Sequence, residues 1–296
     1  MEKENKENSE LSPQTFISPS SINTFAKCKR QYYYQYIEKL KQLPSIHLLK
    51  GTIVHSVLED FFKVFDNDFR GRADTLFNGK LTSYKKPLNN LELSEEDMTM
   101  HIKDAKNMID DFITGFEKKV NNILDIGIAS GRKHAFHLLK PKFKEMFVKS
   151  EELHCRGYID RIDKDFDGNI TIGDYKTSKK YGICLNEDYK RQMAIYAVLY
   201  KEQEGIYPTY TSVIFLRYGE TYPIEVTPSL MKGARDIIVD TYEKTRTTDI
   251  ADYPKREQKL CSFCSFLDVC SGKKQAEEEK RMKKLKELMD KPEEKK

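Results

Sequence analysis

The sequence predicts an α/β fold. Two observations carry that reading: short runs rich in β-branched and aromatic residues fall between residues 147 and 227, and amphipathic segments with helical spacing precede, interrupt and follow them. A third is the turn Asp165-Phe166-Asp167-Gly168-Asn169 between two apolar runs, which predicts a hairpin within the sheet. At 296 residues, 39% of them hydrophobic, the chain is long enough to bury a full core.

Residues 1–14 are polar, lack apolar periodicity and are expected to be disordered. Order begins at Ser18, whose hydroxyl is placed to cap a helix with Pro19 at its first position, where the missing N–H costs nothing. That helix is expected to run through Phe25, Cys28 and the aromatic series Tyr32, Tyr33, Tyr34 and Tyr36, whose spacing reads as core rather than as a base-stacking surface. A second helix is expected after Gly51, with Val54, Val57, Leu58, Phe61, Phe62 and Phe65 on one apolar face and His55 and Glu59 along its edge.

Residues 67–93 show no clear period; Ser94 then caps a long amphipathic helix through Met108, Phe112, Phe116 and Val120, so that 67–143 reads as a helical insertion. The segments VKSEELHCRGYIDRID and ITIGDYK predict strands around the hairpin turn. A helix over 187–204, strands over 209–217 and 222–227, and a helix near 230–245 follow. The stretch from Ser271 to Lys296 is dominated by Lys and Glu and predicts a charged, solvated helix.

The net charge of +4, from 51 basic and 47 acidic side chains, is too even to argue nucleic-acid binding from bulk charge. No window approaches the ~18 to 20 apolar residues of a membrane span, and the first residues lack a signal peptide's apolar run. The expectation is a cytoplasmic protein with no membrane partner. In a reducing compartment its six cysteines are not expected to form three disulfides.

In ITIGDYK the strand period puts Asp174 and Lys176 on one face and Tyr175 on the other. Asp160, on the preceding strand, approaches Asp174 across the ladder, and two carboxylates that close repel unless a cation lies between them. Mg2+ is satisfied by two carboxylates, a backbone carbonyl, and water or phosphate, whereas an imidazole from His55 tilts the preference toward Mn2+. Lys176 would then orient a water or stabilise charge on phosphate, a site for phosphodiester hydrolysis. The plainer alternative pairs Asp160 with Arg161 and Asp174 with Lys176 as surface ion pairs.

The second cluster is Cys261-x2-Cys264-x5-Cys270, three thiols in ten residues with no second C-x2-C to complete a zinc ribbon. Their fourth partner must come from far away in the chain. Cys155 and Cys184 read as ordinary thiols.

Taken in order, the series is Ser18-Pro19-Ser20-Ser21-Ile22-Asn23-Thr24-Phe25, Gly51 to His55 as G-x-x-x-H, Gly157-Tyr158-Ile159-Asp160, Asp174-Tyr175-Lys176, and Gln192 with Tyr196 one turn later. It resembles the PD-(D/E)XK nuclease superfamily, and within it the RecB-like branch that includes AddB-type nuclease domains and the CRISPR-associated Cas-four exonucleases. The resemblance implies a restriction-endonuclease-like core, a small mixed sheet flanked by helices over residues 15–270. It implies Mg2+ or Mn2+ held by His55, Asp160, Asp174 and the Tyr175 position, catalysis by Lys176, and Gln192 and Tyr196 beside them in contact with nucleic acid.

It also implies a 4Fe-4S cluster on Cys28, Cys261, Cys264 and Cys270, shielded by Phe263, Phe266 and Val269, which would staple the segment 261–270 to the start of the fold; Zn2+ on the same thiols is the alternative. The activity implied is a metal-dependent DNA exonuclease on single-stranded ends, serving repair, recombination or CRISPR adaptation. A helicase or integrase partner would act in trans, since no G-x-x-x-x-G-K-(S/T) phosphate loop is present. A non-catalytic DNA-binding or assembly subunit that keeps the fold and cluster is the rival from another class.

Overall fold

The computed structural model describes residues 12–42, 45–91, 93–179 and 185–272. Expectations for residues 1–11, Cys184 and the charged tail from 273 onward fall outside the described residues. The chain divides into two compact units, one of residues 15–23 and 44–243, the other of 1–14, 24–43 and 244–296.

The larger unit is built on a five-stranded sheet in the order β1 (Phe143–Ser150), β2 (Cys155–Lys164), β3 (Ile170–Lys176), β4 (Tyr210–Phe215), β5 (Glu220–Glu225). Neighbours are antiparallel except β3 and β4, which are parallel and therefore need a crossover, helix α8 (Glu187–Glu204). This is the mixed, helix-flanked sheet that the sequence predicts. The β2–β3 turn closes with Gly168 at φ 88°, the left-handed geometry a glycine supplies.

Two apolar layers cover the sheet. On one face α8 and α9 (Pro228–Lys244) bury Ile159, Ile162, Ile172 and Val213 against Met193, Ala197 and Ile238. On the other, α3 (Ile46–Phe61), α4 (Phe69–Ser83), α6 (Glu95–Asp125) and α7 (Arg132–Leu139) form a Phe-rich cluster that reaches the sheet through Tyr175 and Leu216. Between α4 and α6 lies the short helix α5 (Lys85–Asn89). Residues 67–93, aperiodic in sequence, thus contain α4 and α5; Asp68 starts α4 by accepting from the Gly71 N–H at 2.9 Å. Helix α3 begins five residues before Gly51, at a cap where Ser45 Oγ accepts from the His47 N–H.

The first helix is shorter than its periodicity predicts. Ser18 and Ser21 exchange backbone-to-hydroxyl bonds at the start of α1 (Pro19–Lys27), but the helix ends at Cys28, which is extended (φ −157°, ψ 111°). The chain resumes as α2 (Lys29–Tyr32) and a wider turn over Tyr33–Ile37. Cys28 closes one helix through its N–H to Thr24 O and opens the next through its carbonyl to Tyr32 N. A one-residue break preserves the apolar spacing on both sides, which is why periodicity does not reveal it.

In the smaller unit Phe25, Tyr32, Tyr33, Tyr34, Ile37, Tyr253 and Phe266 form one aromatic core, with Tyr32 and Tyr253 stacked. The tyrosine series is therefore core, as its spacing predicts. Arg30 fastens the C-terminal segment by donating to Tyr253 O at 2.7 Å, and α10 (Leu267–Cys270) lies near its end.

Candidate active site and thiol cavity

Alternation along β3 separates its last three residues. Asp174, only 4% exposed, and Lys176 turn toward α8, whereas Tyr175 turns into the Phe-rich layer beside Phe112. Lys176 Nζ lies 2.6 Å from Asp174 Oδ2 and donates to Gln192 Oε1 at 2.9 Å; Gln192 Nε2 donates to Asp174 Oδ1 at 3.1 Å and to Tyr196 OH at 3.3 Å. Carboxylate, ammonium and amide thus close a triangle. Gln192 and Tyr196 reach it together because four residues make one turn of α8.

Gly157 makes room for this packing. A Cβ there would stand 3.0 Å from the Tyr196 ring and 3.3 Å from Pro19. The glycine of Gly157-Tyr158-Ile159-Asp160 therefore has a steric cause, and it fixes which face of β2 meets α8.

Asp160 sits where β2 and β3 separate. The ladder pairs Arg161 with Gly173, and beyond it Asp160 Oδ2 accepts the Tyr175 N–H at 2.7 Å in place of a backbone partner. His55 Nδ1 lies 3.4 Å from the same oxygen, with the His55 ring edge-on to Tyr175. On β1 the register joins Lys144 to Arg161 and Met146 to Ile159 but skips Glu145, which takes a left-handed φ of 49°. Ligand atoms of His55, Glu145 and Asp160 all lie within 4.8 Å of one another, the one such trio among the described residues.

Glu145 is the site residue that sequence reasoning missed. Nothing in Lys144-Glu145-Met146 marks it, since its approach depends on a backbone kink rather than on spacing. Two other glutamates near the motifs do not join the trio: Glu152 is paired with Arg235, and Glu59 pairs with Lys63 at 2.7 Å while bordering the cavity beside His55. Arg161 is not a surface partner of Asp160: its partly buried guanidinium donates to Asp163 and to the Tyr175 hydroxyl.

The electrostatics follow from burial. Loss of water pushes the Asp174 carboxyl above its usual range, against the charge of Lys176 and with the help of Asp160. Burial opposes protonation of His55, but its hydrogen bond to Asp160 and the charges of Asp160 and Asp174 outweigh this and hold it above its ordinary value. Glu145 is raised by burial and then by Asp160. Lys176 loses hydration too, yet Asp174 keeps it protonated. Three carboxylates against one lysine leave a negative excess. Asp174 Oδ2 is buried and makes no hydrogen bond of good geometry, although Lys176 is near. An oxygen-rich donor set with one imidazole and an excess of negative charge fits a hard divalent cation.

His55, Glu145 and Lys176 open onto a cavity of about 1220 Å3 that is also lined by Met100 and His101 of α6 and by Arg217. The segment 67–143 thus contributes a wall of the site. Arg217 and Lys50 both pair with Asp104 there.

In the smaller unit Cys28, Cys261, Cys264 and Cys270 line one cavity of about 590 Å3, and all four are free thiols. Burial, then the neighbouring Cys28, pushes the Cys270 thiol up. Phe266 is buried and Val269 packs on the aromatic core, while Phe263, although 84% exposed, lines the cavity alongside Phe266. The four thiols border one space, but among the described residues no three of their sulfurs lie within 4.8 Å of one another. Cys155, by contrast, is buried in the sheet core.

Residues 17–271 match the family model of the PD-(D/E)XK nuclease superfamily. The chain belongs to this superfamily. Among curated proteins it is 22% identical over 276 residues to the Gene 69 protein of Mycobacterium phage D29, covering 86% of this chain and 95% of that protein. It is 27% identical over 169 residues to an ATP-dependent helicase/deoxyribonuclease subunit of Streptococcus mutans, covering 55% of this chain but only 14% of that much longer protein. A solved structure from Eubacterium rectale, which carries a provisional exonuclease name, aligns over 89% of this chain and 92% of its own with a TM-score of 0.47 at 16% identity. Among the described residues no helix is long and apolar enough to cross a membrane.

Proposed function

We propose that this PD-(D/E)XK protein is a divalent-metal-dependent DNA nuclease acting as an exonuclease on single-stranded ends. The observation that carries the reading is the buried Asp174–Lys176–Gln192 triangle on the strand next to Asp160 and His55. A structural ion pair needs neither the amide that holds the ammonium in place nor the second carboxylate and imidazole beside it.

His55, Asp160 and Asp174, with Glu145 and the Tyr175 backbone, would hold Mg2+ or Mn2+. When bound, the ion supplies an acidified water and neutralises charge at the scissile phosphate. Lys176, fixed by Asp174 and Gln192, directs N–H donors at that phosphate as its charge grows. Tyr196 braces Gln192, and Gly157 lets it do so. The cavity in front of His55 and Lys176 admits the strand.

The four cysteines of the smaller unit are proposed to hold a 4Fe-4S cluster, with Zn2+ as the competing occupant. Anaerobically purified protein should be brown, with broad visible absorption that Cys28→Ser abolishes; colourless protein with stoichiometric zinc decides for the alternative. The name of the Streptococcus protein supports a helicase acting alongside the chain in DNA repair or recombination.

End-labelled single-stranded and blunt duplex DNA, incubated with Mg2+, Mn2+ or chelator, tests the activity. Progressive shortening of single strands with either metal and none with chelator is expected. Intact DNA under every condition would end the nuclease reading.

A further inference from the structure

The face of β1 and β2 that carries Glu145 and Asp160 continues beyond them. In the antiparallel register Phe147 lies opposite Tyr158, and Lys149 opposite Arg156. Tyr158 is two residues from Asp160 and shares its face, and Phe147, opposite Tyr158 in the register with the two rings in contact, lies on that face with it. Gly157 confirms the assignment, because its missing side chain would point the other way, at Tyr196 of α8. Along this face the order is carboxylates, aromatic pair, basic pair, in steps of roughly 7 Å.

The aromatic pair is not part of the core. Phe147 is 42% and Tyr158 58% exposed, with ring centroids 5.1 Å apart. The basic pair flanks a third ring: Lys149 Nζ lies 4.0 Å and the Arg156 guanidinium 5.8 Å from the centre of Phe16. Lys149 is paired with Glu151 at 2.5 Å, whereas among the described residues the Arg156 guanidinium has no hydrogen bond or ion pair. β1 is an edge strand, where exposed rings invite association unless they serve a partner.

The geometry points to a platform for single-stranded DNA, on which bases stack against Phe147 and Tyr158 while Arg156 and Lys149 meet the phosphates, leading the strand toward Asp160. The inference rests on the nuclease reading and specifies the substrate it takes. Rings interleaved with cations match a ligand that alternates flat apolar bases with anions, and only an unpaired strand offers its base faces. A duplex presents phosphates but no free faces, so the platform selects against it.

The test is fluorescence anisotropy of labelled oligothymidylate with the full chain in chelator, where nothing is cut. Phe147→Ala and Tyr158→Ala should each weaken single-strand binding by about 10-fold or more, with blunt-duplex affinity unchanged. Arg156→Ala should flatten the salt dependence by about 0.7 in log–log slope, the share of one phosphate. Tyr218→Ala, an exposed tyrosine outside these strands, should bind like the wild type, and thermal unfolding should report all variants folded. Unchanged single-strand affinity in the Phe147→Ala/Tyr158→Ala double variant, or an equal loss on duplex, overturns the platform. Cleavage by wild type is scored separately with Mn2+: cleavage with unaltered binding in the double variant removes the platform alone, and lost binding without wild-type cleavage removes the nuclease reading alone.

Discussion

Glu145 enters the site through a left-handed φ of 49° in the middle of β1, which brings its carboxylate to His55 and Asp160. As a ligand to the cation it has a measurable share of the affinity: Glu145→Gln should weaken Mn2+ binding by about 10- to 100-fold, read by calorimetric titration, while leaving the fold intact. Gly157→Ala tests the packing side. With Tyr196 only 3.0 Å from the new methyl, a loss of about 1 to 3 kcal/mol in chemical denaturation is expected. The two halves of the site differ in how far the sequence announces them. Strand alternation alone puts Asp174 beside Lys176 and opposite Tyr175, and a four-residue spacing brings Gln192 and Tyr196 to one helix face; these side chains form a single hydrogen-bonded set. A mid-strand kink has no such signature, and nothing in Lys144-Glu145-Met146 encodes it in a readable way.

Elements were legible where their apolar spacing was long and regular. The crossover helix α8, bounded by Asn186 as its cap and Gly205 at φ 72°, carries both of its end signals in sequence. By contrast α4 has a weak apolar stripe, and its burial of Phe69, Ala73 and Phe77 against α3 and α6 becomes apparent only when those helices are present. Its start depends on Asp68, so Asp68→Ala should cost about 1 kcal/mol in an unfolding titration without changing metal affinity. The break at Cys28 was hidden for the opposite reason, since the residues on both sides keep their spacing. It also turns the Cys28 side chain to the cavity that Cys261, Cys264 and Cys270 border, which a continuous helix has no need to do.

At the scale of the whole molecule the near-neutral charge conceals a local negative excess. Asp174 and His55 both bind protons more tightly in the folded protein than their free counterparts do, the first through burial and the second because Asp160 outweighs burial. A group with a raised folded pKa contributes stability below its unfolded pKa, and that contribution is lost as pH rises through the folded value. The metal-free protein should therefore lose stability at this site as pH rises, first from about 3.8 upward through the raised range of Asp174 and then from about 6.5 upward through that of His55. Mg2+ or Mn2+ needs the deprotonated ligands, so the metal-induced rise in melting temperature should be largest at neutral pH and above and should shrink as pH falls into the raised range of Asp174, Glu145 and His55. Thermal melts across pH, with and without metal, measure this; a metal-induced rise that grows toward acid would contradict the ligand set.

The central claim is that Asp174 and Lys176 perform chemistry rather than tie two strands together, and one comparison tests it most directly. Wild type, Asp174→Ala and Lys176→Ala are given labelled single-stranded DNA with Mn2+, and initial rates are compared alongside DNA affinity. The predicted result is a fall of about 100- to 1000-fold in rate for Lys176→Ala, and at least as much for Asp174→Ala, with single-strand binding retained. Equal rates in all three proteins would contradict the account.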